Sequence, residues 1–277
     1  MQKYRIASNQ IKTIFLEFTN KVESVSLDEA YLDVSDSKHF RAVPLLAKHI
    51  RERIYNEVGV TASAGVAPNK FLAKVASDIN KPNGQYVIAP DSIANFISGL
   101  HLRRIPGVGK VLEKKLNQLG LTKCVDVQNY CVETLVKKIG SFGYTLHQRS
   151  YGKDNREVKE RSIRKSVSVE RTFSQDLDNI DTCIENIYLL IESFQERLYK
   201  LQDSYFAKAY FVKIKFNDFS QTTLERSNIN TLDVDIIKEM YMEAWKRGSK
   251  PARLLGLGAR LIPKEECQNS IQLDLLR

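Results

Sequence analysis

Two adjacent carboxylates, Asp28 and Glu29, stand in the stretch SVSLDEAYLDVSD, between two short runs in which apolar and polar residues alternate. This alternation predicts the two strands of a hairpin, residues 22–26 and 30–35, with the acidic pair close to the turn. The pair is either ordinary solvated charge or part of a metal site. Its spacing alone favours solvated charge, so a metal site needs support from other parts of the chain.

A glycine-rich turn stands at PGVGK, residues 106–110. A turn of this kind at the start of a helix leaves backbone N–H groups free to point at a phosphate, and the helix dipole adds to the attraction. The residues that follow, VLEKKLNQLG, have the spacing of a helix-hairpin-helix motif and add Lys114 and Lys115. We therefore predict a phosphate-binding turn rather than a plain tight turn. Its residues are Gly107, Val108, Gly109 and Lys110.

A second basic stretch, NKFLAKVASDINKPNG, places Lys70, Lys74 and Lys81 around a predicted helix that ends in a Pro-Asn-Gly turn. Lys81 stands where the chain reverses, a place from which a side chain can be aimed at a ligand. Spacing alone still favours a solvated lysine at this position.

The net charge of +9 is concentrated in one part of the chain. Residues 101–171 contain 16 lysines and arginines and seven acidic residues, an excess equal to the whole net charge. Such a strip is typical of a segment that follows a polyanion. In a protein with such a strip and a phosphate-binding turn, the adjacent acids Asp28 and Glu29 suggest a divalent cation held for phosphoryl chemistry. We expect magnesium, because this ion is typically held by one or two carboxylates together with substrate phosphates.

The composition indicates a globular protein and excludes several other classes. Hydrophobic residues make up 43% and charged residues 27%, as in folded rather than disordered chains. No apolar run is long enough to span a membrane and the N-terminus lacks the apolar core of a signal peptide, so we expect no membrane partner and a cytoplasmic location. The cysteines form no CxxC pair and the histidines are scattered, which supports neither a zinc site nor a disulfide framework. These cysteines are Cys124, Cys131, Cys183 and Cys267.

The apolar spacing divides the chain into three units. Residues 1–88 alternate helical spacing with short strand patterns, which predicts an α+β unit with a small sheet. Residues 89–152 give short helical signals punctuated by glycines, which predicts a small all-helical unit. Residues 153–165 are charged and nearly devoid of apolar residues, so we expect a linker.

The third unit, residues 166–263, has the predicted element order β-α-β-β-α-β, which is the ferredoxin-like arrangement. Its four-stranded sheet is expected to leave one face open. Lys213, Lys215 and Thr222 on such a face either contact a nucleic-acid backbone or, as is more common for lysines on a sheet, are simply solvated.

Four motifs together resemble the Y family of translesion DNA polymerases, in its DNA polymerase IV (DinB-like) branch: SLDEAYLDVSD, TASAGVAPNKFLAKVASDINKPNGQY, RIPGVGKVLEKKLNQLG and RKSVSVERTF. The likeness runs through essentially the whole chain in the family's order. It implies a partial polymerase palm over residues 1–88, a thumb over 89–152, a basic linker over 153–165, a little finger over 166–263 and a tail over 264–277. The implied activity is error-prone, template-directed DNA synthesis past damaged bases.

The resemblance also implies roles for single residues. Asp28 matches the family's second metal-binding aspartate, and Glu29 matches the adjoining catalytic glutamate, which also serves the metal at the primer terminus. The implied cofactor is a pair of magnesium ions. Lys81 matches the lysine that contacts the incoming triphosphate, and residues 107–110 match the thumb turn that grips a DNA backbone. Primer-template DNA and deoxynucleoside triphosphates are therefore the implied partners.

The C-terminal sequence QLDLL is similar to the peptide by which such polymerases bind the sliding clamp. There a glutamine and spaced leucines enter a groove and tether the enzyme to DNA, which raises its effective concentration. The clamp is thus a further implied partner. The matching residues are Gln272, Leu273, Leu275 and Leu276.

The sequence departs from the family at its beginning. Family members begin with a palm strand that bears the first metal-binding aspartate, followed by the fingers and an aromatic residue that excludes ribonucleotides. This sequence starts in the helix after the fingers, and no DxDxFF-like segment occurs in it. We therefore expect the chain alone to polymerise poorly or not at all. We also expect a palm sheet with an exposed apolar face and an unpaired edge, which favours aggregation or a partner.

Three interpretations remain open on the sequence. The leading one is an N-terminally incomplete translesion DNA polymerase. The second is a non-catalytic protein that keeps the DNA-gripping thumb, the little finger and the clamp tail, and competes for primer ends or for the clamp. The third is one half of a split polymerase, with the missing N-terminal part supplied by another chain.

Overall fold

The structure is a computed structural model, and its two compact units comprise residues 1–161 and 162–277. Within the described part of the chain, no helix is both long and apolar enough to cross a membrane. The described residues are 2–36, 42–160, 163–227 and 232–265.

The first unit begins with helices and short strands, as predicted. These elements are α1 (Gln2–Leu16), β1 (Val22–Ser24), β2 (Ala30–Leu32), α2 (Val43–Val58), β3 (Ala64–Val66), α3 (Lys70–Ser77) and β4 (Gln85–Val87). The rest of the unit is helical. Its helices are α4 (Ile93–Ser98), α5 (Lys110–Gln118), α6 (Cys124–Gln128), α7 (Val132–Ile139) and α8 (Phe142–Ser150).

The strands of the first unit form two separate two-stranded sheets in the described residues. β1 and β2 are antiparallel, with Glu23 opposite Tyr31, whereas β3 and β4 are parallel, with Gly65 opposite Tyr86. β1 ends earlier than predicted, because the Val25 amide donates to the Glu29 carbonyl and the turn closes there. β2 ends at Leu32 rather than at residue 35, and beyond it the Ser35 amide donates to the Asp33 side chain.

Two hydrophobic clusters support the first unit. The smaller lies between α1 and α2, and its buried members are Ile14, Leu46, Ile50 and Ile54. The larger joins α3 and Ile88 to the helices from α4 onward. Gly65 makes the contact between β3 and α3 possible, because a Cβ atom there would lie 2.0 Å from the Ala73 carbonyl oxygen. The segment predicted as palm and the segment predicted as thumb therefore share one core.

The beginning of the predicted linker lies against the first unit. The Lys70 ammonium donates to the Glu157 carbonyl at 3.2 Å, and the Lys159 amide donates to the Glu23 carboxylate at 2.9 Å. These contacts connect the segment to α3 and β1, although it has no helix or strand of its own.

The second unit has the predicted element order β-α-β-β-α-β. Its elements are β5 (Ser166–Leu177), α9 (Ile180–Tyr199), β6 (Tyr205–Phe216), β7 (Gln221–Ser227), α10 (Val234–Lys246) and β8 (Ala252–Pro263). The sheet is antiparallel in the order β5-β8-β6-β7, so the last strand is central and β5 and β7 are edges. Buried side chains of α9, α10 and all four strands form one cluster. Both helices cover the same face, which leaves the other face of the sheet open as predicted.

Candidate active site

The hairpin turn between β1 and β2 presents Asp28 to solvent. The Ser26 hydroxyl donates to the Asp28 carboxylate at 2.5 Å, and the Asp28 amide donates back to the Ser26 oxygen at 3.3 Å. The hydrogen bond from Ser26 lowers the pKa of the Asp28 carboxyl, and the positive charges of Lys74 and Lys81 act in the same direction. Asp28 is therefore held as an anion with a defined orientation at the start of β2.

Glu29 is paired with a lysine of α3. The Lys74 ammonium lies 2.7 Å from the Glu29 carboxylate, and the lysine side chain is 27% exposed. The Asn69 side chain caps α3 by accepting from the Leu72 amide, which fixes where the helix begins and thus where Lys74 points. The sequence placed Lys74 in a basic stretch but gave no sign of this contact, because the partners are distant along the chain.

Lys81 follows α3, and hydrogen bonds from α2 hold the turn in which it lies. Its ammonium lies 2.5 Å from Asp78, and its side chain is 49% exposed. The Arg51 guanidinium donates to the Asn83 side-chain oxygen at 2.9 Å and to the Ala62 carbonyl at 2.9 Å. The Pro-Asn-Gly turn is thereby fixed against α2. The Lys81 side chain is thus half-exposed and held by Asp78. Its positive charge is close enough to Asp28 to lower the pKa of that carboxyl.

The structure brings two carboxylates and two lysines to one place, and this donor set suits magnesium. Asp28 and Glu29 supply the carboxylate oxygens that this ion prefers, and it commonly takes its remaining ligands from water and substrate phosphates. Within the described ranges, no group of three or more His, Cys, Asp or Glu residues is placed to hold a metal ion. A magnesium ion bound here needs oxygen ligands beyond those two side chains.

A nearly buried ion pair lies behind the hairpin. The Lys70 ammonium is 2.5 Å from the Glu23 carboxylate, and the lysine side chain is only 8% exposed. Burial acts to raise the pKa of Glu23, but the hydrogen bonds from Lys70 and from the Lys159 amide outweigh it, and the pKa is lowered. Tyr31 of β2 covers the ammonium, which lies 5.1 Å from the ring centroid. The pair connects the hairpin to α3. Lys70, which the sequence placed in the same basic stretch as Lys74, therefore has a structural role.

The PGVG turn has the geometry expected of a phosphate-binding turn. Gly107 has φ of +100°, and Gly109 is the N-cap of α5, which begins at Lys110. Val108 is buried, and the Arg149 guanidinium holds the turn by donating to the Pro106 carbonyl at 2.7 Å. The first intrahelical bond runs from the Glu113 amide to the Gly109 carbonyl, so the three preceding amides lack intrahelical acceptors.

The open face of the second unit is charged but largely paired. Lys213 lies 3.1 Å from Glu170, and Arg260 lies 2.9 Å from Glu225. Of the three residues predicted on an open face, Lys213 is thus neutralised by Glu170 of β5, across the central strand β8. The prediction is wrong for Thr222, which lies on the helix-covered face because it pairs with the buried Ile214 and accepts a hydrogen bond from the Arg247 guanidinium. The predicted clamp-binding residues lie outside the described residues, and their role stays a prediction. They are Gln272, Leu273, Leu275 and Leu276.

Comparison with known proteins identifies the family of this chain. The impB/mucB/samB family model matches residues 1–78 and its C-terminal domain matches 164–275, while a model of the DNA polymerase-iota thumb domain matches 103–154. DNA polymerase IV of Ectopseudomonas mendocina (strain ymp) is 46% identical over 271 residues, which cover 98% of this chain and 77% of the relative. DNA polymerase IV of Pseudomonas fluorescens (strain Pf0-1) is 46% identical over 94% of this chain and 74% of the relative.

Solved structures give the same result. A Y-family polymerase chimera of Dbh and Dpo4 superimposes with a TM-score of 0.83 and 26% identity, over 93% of this chain and 75% of the chimera. An error-prone DinB-family DNA polymerase from Sulfolobus solfataricus gives a TM-score of 0.58 at 25% identity, over 93% of this chain and 78% of that chain. The chain belongs to the Y family of DNA polymerases, the DNA-directed enzymes of translesion synthesis. Its branch within that family is DNA polymerase IV, the DinB-like branch.

Proposed function

We propose that this chain carries the palm carboxylates, thumb and little finger of a translesion polymerase that adds deoxynucleotides to a primer opposite damaged template bases. The observation that carries the proposal is the convergence of Asp28 and Glu29 with Lys74 of α3 and Lys81, which follows that helix. Two anions beside two cations suit a site that must bind both a magnesium ion and the phosphates of a nucleotide. Magnesium supplies charge neutralisation at the reacting phosphate when it is bound.

Each charged side chain of the site has a separate task in this proposal. Asp28 and Glu29 hold the magnesium ions, and Glu29 also faces the primer terminus. Lys81 binds the triphosphate by exchanging Asp78 for a phosphate oxygen, since both are oxyanions at the end of the same side chain. Lys74 keeps Glu29 ordered before the cation arrives.

Primer-template DNA and deoxynucleoside triphosphates are the proposed substrates. A solved neighbour that is 25% identical is described as a Dbh ternary complex with partially disordered substrates, and it has a TM-score of 0.61. In this chain the proposed DNA contacts are the free amides after the PGVG turn and the side chain of Lys110, which suit a backbone phosphate. The sliding clamp is the proposed partner of residues 272–276.

The direct experiment is magnesium-dependent primer extension with Asp28→Asn and Glu29→Gln. Each substitution keeps the shape of the side chain and removes a charged metal ligand, so we expect activity to fall by about 100-fold or more. Asp36→Asn is the matched control, because Asp36 is an exposed carboxylate of the same hairpin region that pairs with Lys21. The proposal fails if the unaltered chain extends primers and the two variants extend them as fast as the control does.

A second candidate is that the site is completed by another polypeptide, as in a split polymerase. Among the described residues the two sheets of the first unit are each two-stranded, so β2 and β3 both have an unpaired edge. The hydrogen bonds of Ala64 and Val66 go to the β4 side, which directs the polar backbone groups of Gly65 to the free edge. α3 contacts β3 at Gly65 and the hairpin through Lys74, so both sheets contact one helix.

An added strand would supply pairing for these edges and a further oxygen ligand for the metal. In this candidate the chain alone extends primers slowly or not at all, for want of that ligand. The test adds the part of a DNA polymerase IV relative that this chain does not cover, as a separate polypeptide, to the purified chain. Restored extension that Asp28→Asn abolishes supports the split enzyme. DNA binding that persists without extension in either mixture supports the non-catalytic alternative.

A further inference from the structure

The hairpin tip between β6 and β7, residues Asn217–Ser220, carries a large exposed aromatic side chain in an unfavourable backbone conformation. Phe219 has φ of +67° and is 61% exposed. Left-handed backbone is disfavoured for a bulky residue, and glycine or asparagine is the usual choice at such a turn position. Neither folding nor solubility therefore explains a phenylalanine at this position.

The tip is held rigidly by contacts that do not involve the phenyl ring. The Asp218 carboxylate accepts from the Ser220 hydroxyl at 2.5 Å and pairs with Lys250 at 2.5 Å. The Asn217 amide donates to the Pro251 carbonyl at 2.9 Å. The hairpin is thus anchored to the segment that leads into β8, and Phe219 is presented in a fixed orientation at little further entropic cost.

Two cations flank the ring. The Lys215 ammonium lies 4.7 Å from the ring centroid of Phe219, and the Arg253 guanidinium carbon lies 5.3 Å from it. Within the described residues neither cation has an ion-pair partner, whereas Lys213 and Arg260 on the same sheet are both paired with glutamates. Two cations without an ion-pair partner in the described part of the chain therefore lie beside the exposed ring.

We infer that Phe219, Lys215 and Arg253 form a binding site for an unpaired nucleotide, in which the base stacks on the ring and the cations bind the adjoining phosphates. An aromatic ring beside cations is the arrangement by which proteins bind single-stranded nucleic acid without reading its sequence. The inference rests on the proposed DNA-synthesising function, which brings unpaired template bases to the protein.

The test measures the affinity of the full chain for two labelled probes by fluorescence anisotropy at one fixed salt concentration. One probe is single-stranded oligothymidine of about 12 nucleotides, within the usual range for such sites, and the other is a blunt duplex of the same length. We expect Phe219→Ala to weaken binding of the single strand by about 10-fold, because a base loses its stacking partner. Duplex binding should change less than about 2-fold, since a paired base cannot reach the ring.

Tyr199→Ala is the matched control. Tyr199 is the last residue of α9 and is 70% exposed, but within the described residues no cation lies over its ring. We expect this variant to bind both probes as the unaltered chain does. Lys215→Ala should reduce the slope of log affinity against log salt for the single strand by about 0.7, as expected for one lost phosphate contact.

Phe219→Asn separates binding from folding, because asparagine tolerates the left-handed conformation. Its urea midpoint, followed by the fluorescence of Trp245, should be unchanged or raised while single-strand binding falls as in the alanine variant. Equal weakening of both probes, or single-strand binding by Phe219→Ala that matches the unaltered chain, overturns the stacking site and leaves the proposed function intact. An unaltered chain that binds neither probe overturns the proposed function and the site with it.

Discussion

The hairpin that carries Asp28 and Glu29 and the open sheet of the second unit are supported by very different cores. Among the described residues, the cluster between α1 and α2 behind the first unit's strands has four buried members, and the cluster under the four-stranded sheet has 21. The strands differ in the same way, with three residues in each of β1 and β2 and twelve in each of β5, β6 and β8. The proposed metal ligands therefore depend mainly on ion pairs for their position, and the open sheet of the second unit on apolar packing.

The difference in core size indicates which of the two regions opens more readily. Regions with few buried apolar contacts open locally at a lower free energy than the main core. The proposed binding of a cation and a nucleotide would gain from carboxylates that can exchange partners. The proposed binding of DNA by the sheet would gain from a large rigid core that holds its side chains at fixed spacing. Four predictions test this contrast, in order of decreasing effect.

Truncating one isoleucine in each core should give unequal losses. Ile187→Ala in α9 should cost about 4 kcal/mol, because the side chain is fully buried and its cavity cannot collapse. Ile54→Ala in α2 should cost about 2 kcal/mol, since the smaller cluster can relax towards solvent. Urea unfolding followed by Trp245 fluorescence measures the first, and hydrogen exchange of peptides from α2 measures the second. Similar losses at both positions would contradict the contrast.

Replacing a glycine by alanine in each unit should show that a clash with backbone costs more stability than a clash with a side chain. A Cβ at Gly65 would lie 2.0 Å from the Ala73 carbonyl oxygen, so α3 must move away, at about 3 kcal/mol. A Cβ at Gly258 would meet the Phe211 ring at 2.3 Å, and that ring can rotate into solvent, so the cost should be about 1 kcal/mol.

Thiol labelling in urea reads the two units separately in these glycine variants. Cys124 lies in the first unit and Cys183 in the second, and burial raises the pKa of each thiol to about 12, so both stay unreactive while folded. Gly65→Ala should advance the labelling of Cys124 but not of Cys183, and Gly258→Ala the reverse. Advanced labelling of both thiols in either variant would show that the units unfold together.

Lys74→Met should tighten cation binding at the carboxylate pair by up to about 5-fold, because an exposed ion pair is typically worth no more than about 1 kcal/mol. The lysine competes with a divalent ion for Glu29, and methionine keeps its length without its charge. Manganese binding followed by electron paramagnetic resonance measures the change without any need for catalysis. Lys48→Met is the control, since Lys48 pairs with Glu52 on α2, and it should leave the affinity unchanged.

The smallest effect is expected from acid on the hairpin tip of the second unit. Hydrogen bonds from Lys250 and Ser220 lower the pKa of Asp218 to about 2, from an ordinary value of 3.8. The stabilisation is therefore complete above pH 3.8 and is lost as the pH falls through about 2. Asp218→Asn should lower the urea midpoint slightly at pH 6 and converge with the unaltered chain near pH 2. Asp203→Asn, at another turn of the same unit, should show no such convergence.

Local patterns in the sequence predicted most of the elements but few of their partnerships. The hairpin around Asp28, the turn before α5 and the order of elements in the second unit all follow from alternation, helical spacing and glycine placement. The order of strands in the second sheet does not, because a β-α-β connection leaves room for a strand to be inserted, and β8 takes that place. The pairing of Lys74 with Glu29 joins residues 45 positions apart, which no local pattern encodes.

The segment from Lys153 to Glu160 also shows what composition cannot predict. Its charges and lack of apolar residues are typical of a solvated linker, yet a buried lysine and a backbone amide hold it against the first unit. Lys153, Arg156 and Lys159 would each be a cleavage site for trypsin if the segment were free. Cutting after Arg156 or Lys159 should require Glu23 or Lys70 to release its partner, so the time course of limited proteolysis at these two sites reports how often the support behind the carboxylates opens.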